Sequence, residues 1–574
     1  MIRSRIQMAV WLCVAASLPG TSWATDPPAA EAPAAAPAAS STTNDIAKLK
    51  ALLEEQQKQI EQLRMALEVQ KKMLEQVTAG SSVPMMAAEP DHKKMPNYGE
   101  VASTTPVIPS AAAAAAPAAT PLPARAPYSP PPQAGDASSP LQLKIGDTTI
   151  TPVGFMDATL SWKDKNAGGS LGSNFGNVPY NNAPAAKLSE FRFSPQNSRL
   201  GFRVDGNWKG AHFIGYNEFD FLGTSGTNNL SVTNGAFVPR IRLYWVDVRK
   251  DKLEFLAGQS WSMLTPNRKG ISALPGDLFY SQVIDVNYMA GLTWTRQPGV
   301  RFLYHPSDQV TFGLSLENPD QYIGGSGGSP TAVLPSALTG LAGLQLDSTA
   351  NQQTIPNVHP DIIAKLAFDP NSHVHFEIAG IERTFKTWNT TTGQPASGQY
   401  STKAAGGGSI NGNFEVVKNF RIITNNYWSD GGGRYIFGQA PDLVVRADGS
   451  VSPLHSGGFV EGFEATINKT LLYAYYGGIY IGRDVVVDTN GSLVGYGYRG
   501  SANSQNRTVQ EVSFGFNQTL WKDAKYGALN LMGQYEWLMR NPWYVALNAP
   551  KATHDNTIYV NLRYTLPGSA PPAK

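Results

Sequence analysis

The sequence predicts an all-β transmembrane protein: a 16-stranded antiparallel β-barrel preceded by an α-helical coiled coil. Three observations carry this. From about residue 141, polarity alternates with period two along successive segments, as in strands with one polar and one apolar face. The connections between segments alternate between short and long. An export signal opens the chain, and no later stretch reaches the roughly eighteen consecutive apolar residues of a spanning helix.

The leader is residues 1–24. Arg3 and Arg5 form its basic region and Met8 to Leu18 its apolar core, and Ser22-Trp23-Ala24 offers small residues at −3 and −1 for cleavage. That core is too short to span a bilayer. Cys13, the one cysteine, lies inside it, so the mature chain has neither a disulfide nor a thiolate metal site. Loss of Arg3 and Arg5 brings the 46 basic and 44 acidic residues of the full chain into balance, which leaves no electrostatic footprint for nucleic acid.

Residues 25–43 are an Ala/Pro linker, too poor in large apolar groups to fold alone. Residues 44–79 read as one long helix, capped by Asn44 or Asp45 and ended at Gly80. Ile46, Leu53, Ile60, Leu67 and Leu74 recur at one heptad position and Leu49, Leu63 and Val77 at the other. Gln56 and Gln70 fill the remaining core slots, and charges such as Lys50, Glu54 and Arg64 sit mainly outside the seam. A 3.5-residue repeat over about five heptads specifies a left-handed coiled coil, about 48 Å long if residues 46–77 are helical. The two glutamines either fix register and strand number or are tolerated without a role. Residues 80–140 are a second linker, with Ala111 to Ala116 and Ser129-Pro130-Pro131-Pro132, extended over tens of ångströms.

The barrel is assigned to residues 141–567, followed by a tail, 568–574. Short polar turns fall near 205–209, 249–252, 305–309, 369–372, 417–419, 468–470 and 522–525. Long segments fall near 163–187, 222–237, 262–290, 318–359, 386–402, 430–457, 484–507 and 541–555. These connections give sixteen strands with both termini on the short-turn side, the asymmetry of transmembrane barrels. Closure is required, because a free sheet edge in hydrocarbon leaves backbone groups unpaired. Trp162, Trp261, Trp294, Trp428, Trp521 and Trp537 lie near predicted strand ends, where an interfacial aromatic girdle belongs. In the final strand Ile558, Val560, Leu562 and Tyr564 form one apolar face, like the C-terminal strand of outer-membrane proteins, although the chain continues past it.

No enzymatic constellation is present, so neither an enzyme nor a cofactor is expected. The histidines show no metal-ligand spacing; His373 and His375 share a strand face but read as a solvated pair. There is no G-x-S-x-G elbow, and Gly406-Gly407-Gly408 precedes neither a helix nor a lysine. The chemistry lies in the lumen. If Leu200, Phe202 and Val204 face lipid, Arg199 and Arg203 face inward. By the same parity Arg240 and Arg242 oppose Ile241, Leu243 and Trp245, and Arg301 opposes Val300, Phe302 and Tyr304. Arg383 falls on the inward set of its strand. A charge on the lipid face costs about 2–4 kcal/mol at mid-depth, so these arginines should point to water, either merely hydrating the lumen or selecting anions. Glu377, Glu464, Glu511 and Glu536 are candidate acidic partners across it. The third long segment carries Arg268 and Lys269, which sit either at a constriction, raising the local anion concentration, or on the outer rim.

Ser198-Arg199-Leu200-Gly201-Phe202 before a short turn resembles the early hairpin of trimeric general porins. Gly258-Gln259-Ser260-Trp261-Ser262 leading into a Pro-containing loop is similar to the DcaP-like outer-membrane porins, as is a coiled coil ahead of sixteen strands. The resemblance covers the coiled coil and residues 141–566. It implies a homotrimer in outer-membrane lipid of a Gram-negative-type bacterium, with a three-stranded periplasmic coiled coil reaching toward peptidoglycan. It also implies passive diffusion of small anionic solutes such as dicarboxylates past an arginine-lined constriction. A different class, a structural tether or adhesin whose barrel is only an anchor, stands as the alternative. Trimeric autotransporter adhesins devote only about four strands per chain to their barrel, and the 141–566 segment supplies all sixteen.

Overall fold

A computed structural model of the chain describes residues 140–567 apart from 224–236, 275–277, 279–281, 326–329, 349–354 and 392–393. The predicted leader, both linkers, the coiled-coil positions Ile46 to Val77 and the tail 568–574 lie outside the described residues. Sixteen strands form the wall: β1 Thr148–Lys163, β2 Arg199–Trp208, β3 Ala211–Gly223, β4 Val238–Lys250, β5 Leu253–Trp261, β6 Arg296–Ser307, β7 Val310–Glu317 and β8 Asp361–Asn371. The second half is β9 Val374–Thr391, β10 Gln394–Val417, β11 Phe420–Asp430, β12 His455–Ile467, β13 Thr470–Ile481, β14 Asn506–Asp523, β15 Gly527–Pro542 and β16 Thr553–Thr565. Each pairs antiparallel with its sequence neighbour, and the ring closes where the upper half of β1 pairs with β16, Phe155 opposite Thr565 to Lys163 opposite Thr557. The lower half of β1 pairs with β2, and Gly154 makes the switch at φ +136°, where a Cβ would fall 2.2 Å from the Arg199 carbonyl oxygen. Among the described residues the ring of strands leaves no sheet edge for lipid, as closure requires.

The seven short turns lie where the sequence placed them, and all connect strands at one end of the barrel. Several use a residue of positive φ, such as Asp251, Asn419 and Asn468, which suits the twist of a tight hairpin. The expected long segment at 386–402 is different: β9 and β10 run on through it as an extended hairpin. Its Gly, Thr and Ser composition resembled a loop, but the chain gains cross-strand pairing out to Thr391 and Gln394.

Alternation holds along most of the wall. Leu200, Phe202, Phe302, Ile558, Val560 and Leu562 are exposed on the outside, and Arg199, Arg301, Tyr559, Asn561 and Arg563 are buried within. It fails in β4. The β3–β4 register jumps from Glu218 opposite Leu243 to Phe219 opposite Ile241, leaving Arg242 as an extra residue. Such a bulge reverses parity, so Ile241 faces out while Leu243 and Trp245, expected outside, are buried inside. The tryptophan girdle is likewise corrected: Trp428 and Trp521 are exposed, but Trp261 and Trp294 are buried in the lumen. The interior is filled by long loops. One apolar cluster joins the 318–360, 431–454 and 482–505 loops, with Leu334, Leu346, Val444 and Tyr496 at its centre. A second gathers the 262–295 loop around Trp245, Trp261, Tyr288 and Trp294.

Candidate functional site in the barrel lumen

The 262–295 loop starts and ends together, with Ser262 N–H donating to Thr295 O at 2.8 Å, and between these points it crosses to the opposite wall. Its tip rests on glycines. A Cβ on Gly477 of β13 would fall 2.1 Å from the Ala290 carbonyl oxygen, and one on Gly458 of β12 would fall 2.5 Å from that of Gly291. Gly291 itself has φ +93° and meets the Gly478 carbonyl. Only residues without a Cβ allow two backbones this close. A loop buried inside a barrel must still find partners for its amides, and wall side chains supply them. Glu511 accepts from Ala290 N–H at 2.8 Å, Gln534 from Ile284 N–H at 2.8 Å, Asn425 from Thr293 N–H at 3.1 Å and Glu317 from Met263 N–H at 2.7 Å.

This changes the role expected for the acidic residues. Glu511 holds the loop backbone, and Glu536 accepts from Ser173 Oγ at 3.0 Å. Glu377 pairs with Lys365 at 2.7 Å and Glu464 with Arg268 at 2.7 Å. The first two are fasteners for inserted loops, not partners of the wall arginines.

The structure brings Arg199, Arg240 and Arg242 together and scatters the other predicted site residues. Arg242 donates to Glu218 at 2.7 Å and to Asp220 at 2.8 Å, Arg240 to Asp220 at 2.7 Å, and Arg199 lies 3.7 Å from Glu218 and donates to the Tyr288 hydroxyl at 3.2 Å. Arg203 is paired locally with Asp205 at 2.7 Å. Arg301 donates to the Trp261 carbonyl at 2.6 Å. Arg383 sits higher, against Asp361 and Asp442, in a clasp that also holds Arg434 and Asp320 of the loops. Arg268 lies inside the barrel, bound to Glu464, and Lys269 beside it is half-buried. Asn413 of β10 fixes that segment by donating to the Arg268 carbonyl at 2.7 Å.

Sequence reasoning missed Arg296, the first residue of β6. Its guanidinium lies 5.8 Å from the Trp261 ring centre, and Arg242 lies 5.7 Å from the same ring. Parity counted back from Val300 and Phe302 puts Arg296 outside, but at a strand end alternation no longer fixes direction. Arg199, Arg240 and Arg242 thus share the two carboxylates of Glu218 and Asp220, and Arg296 stands beside the same tryptophan with no carboxylate of its own among the described residues, leaving a local excess of two positive charges. Tyr288, on the inserted loop, senses it: burial raises its phenol, yet Arg199 and Arg242 hold it below its ordinary value.

His373 and His375 do not converge on a ligand: His375 is buried between Asp369 and Glu377, while His373 is exposed beside Glu415. Among the described residues no group of three His, Cys, Asp or Glu side chains is arranged to hold a metal ion.

No family model matches the sequence, and no curated protein does. Solved structures do. The outer-membrane channel DcaP of Acinetobacter baumannii matches over 74% of this chain and 98% of its own, at 15% identity and a TM-score of 0.53. The anion-selective porin of Comamonas acidovorans matches over 73% and 99% at 12% identity, TM-score 0.40, and OmpF of Salmonella typhi over 74% and 99% at 10% identity, TM-score 0.41. Of these three, DcaP superposes well enough to establish a shared fold, that of the described barrel.

Proposed function

We propose that this chain is an outer-membrane porin for passive diffusion of small hydrophilic solutes, with a preference for anions of the dicarboxylate type. The observation that carries the reading is the arginine cluster beside the inserted loop, where four guanidiniums face two carboxylates. Excess positive charge in a narrow, low-dielectric passage raises the local anion concentration and repels cations. The barrel fold shared with DcaP and the apolar exterior support the membrane setting. The N-terminal leader, the periplasmic coiled coil built on Ile46 to Val77, the homotrimer and contact with peptidoglycan belong to the same proposal and rest on the sequence.

The packing of the 318–360, 431–454 and 482–505 loops over one end favours a second reading, a barrel kept occluded as an anchor for a tether or adhesin. Reconstitution in planar bilayers decides between them. A porin gives steady conductance and, in a salt gradient, a reversal potential of anionic sign. A cationic sign rejects the preference, and a barrel that inserts without conducting selects the anchor.

A further inference from the structure

On the outer surface of the barrel, two basic residues have no acidic counterpart. Arg483, just past the end of β13, and Arg507, near the start of β14, are both exposed. Their guanidiniums lie 5.7 Å and 5.1 Å from the ring centre of Trp543, just past β15. Neither forms an ion pair or a hydrogen bond among the described residues. The nearest carboxylate in sequence, Asp484, is met by Arg446 at 3.5 Å. A bulge places Arg507 here: Asn506 stands opposite Pro542 and Thr508 opposite Asn541, so Arg507 is an extra residue, and a bulge re-aims its side chain. Trp543 is a fixed platform, its Nε1 donating to Ile481 O at 2.9 Å and its amide to Gln505 O at 3.0 Å.

Below the arginines the outer wall changes polarity in steps. Tyr480, Thr508 and Asn541 stand side by side on β13, β14 and β15, and Asn541 donates to Thr508 Oγ1 at 3.0 Å. Gln510 follows on the same face, and exposed Tyr476 and Phe514 then begin the apolar band. From mid-wall to rim the surface offers apolar contact, then hydroxyl and amide groups, then two guanidiniums. That order is the order of groups in a phosphorylated glycolipid: acyl chains, amide-linked sugar, phosphate. The arginines lie at the long-loop end, which is the outer end of such barrels, and a guanidinium resting on an aromatic ring keeps N–H edges free for phosphate.

We infer that Arg483, Arg507 and Trp543 form a surface site for the phosphate of an outer-leaflet glycolipid, whose sugar and amide groups meet Thr508, Asn541 and Gln510. The site rests on the outer-membrane setting and is independent of what the lumen passes.

Lipid A carrying two phosphates is the probe, added to the full-length protein in detergent and read by native mass spectrometry as lipid bound per barrel. Arg483→Gln combined with Arg507→Gln should weaken binding by about a hundredfold, tenfold for each lost hydrogen bond to a charged group. Lys418→Gln combined with Lys469→Gln removes the same charge from two short turns at the opposite end and should leave binding unchanged. Equal weakening in both double variants, no weakening in the arginine pair, or equal binding of lipid A stripped of its phosphates overturns the site. Sodium phosphate that competes as strongly as lipid A, mole for mole, overturns the lipid as its occupant. Should the arginine variant fail to fold, wild-type binding across a salt series serves: exposed charges are screened by salt, and binding that ignores ionic strength overturns the site. The two readings separate. A barrel that conducts but binds no lipid A loses only this site, whereas one that binds lipid A without conducting loses the porin.

Discussion

Arg268 on the inserted loop grips Glu464 on β12 with both prongs of its guanidinium, Nη1 at 2.9 Å and Nη2 at 2.7 Å. Tyr475 donates to the same carboxylate at 2.9 Å. The pair ties the loop to the far wall and cancels the charge that would have made Arg268 a free anion attractor. Arg268→Gln leaves Glu464 buried without its partner, a loss of about 3–5 kcal/mol for broken buried ion pairs. Heat-dependent migration on gels should show earlier unfolding for Arg268→Gln than for Arg268→Gln with Glu464→Gln, because the double variant leaves no stranded charge. Equal loss in both would mean that the pair is not coupled.

Arg296 has the opposite character. No carboxylate engages it among the described residues, so its charge is available to the passage. Arg296→Gln should therefore move the reversal potential toward zero by more than Arg268→Gln does. Measurement of both variants in the same salt gradient checks the order, and a larger shift for Arg268→Gln would reverse the assignment.

How far the sequence foretold this arrangement differs from level to level. Strand number and the seven turns were legible because period-two alternation and short polar turns are local signals, and closure then follows from the cost of an open edge. The bulge at Arg242 was not, because one inserted residue leaves the amino-acid pattern of Ile241, Leu243 and Trp245 looking regular. Trp261 and Trp294 were misplaced for a related reason: a tryptophan at a strand end suits an interface and a loop-filled lumen equally well. Arg199 and Arg242 were found by parity, but their pairing with Glu218 and Asp220 depends on the register of three neighbouring strands, which the bulge at Arg242 shifts, and Arg296 sits at a strand end opposite Trp261, where alternation no longer fixes direction.

Asp285 of that loop offers a pH test. Burial pushes its carboxyl above its ordinary value of 3.8, against hydrogen bonds from the Asn287 and Ser173 amides that favour the charged form. A group whose folded value is raised binds its proton more tightly in the folded state, so its stabilising contribution is present at low pH and is lost as pH rises through the folded value. Asp285→Asn removes that loss. Its thermal stability relative to wild type should improve as pH rises above the ordinary carboxyl value of 3.8; a difference that stays constant with pH would show that Asp285 does not titrate as the loop is held in place.

The seat of the loop tip gives the sharpest steric prediction. Gly477, Gly458 and Gly291 meet where β12, β13 and the loop run backbone to backbone, and a methyl group at Gly477 would lie 2.1 Å from the Ala290 oxygen. Neither side can yield easily, because Gly477 is paired with Val460 and Glu511 in the wall and Ala290 N–H is held by Glu511. Gly477→Ala should therefore leave the barrel closed and unseat the loop. Overpacking of this kind costs about 1–3 kcal/mol, a price that loosening the loop avoids more cheaply than opening the wall. The expected outcome is a wild-type gel migration with larger or noisier single-channel conductance and weaker anion preference, because Tyr288 and Trp294 leave the arginine cluster with the loop. Unchanged conductance in a folded Gly477→Ala variant would show that the passage does not run beside this loop.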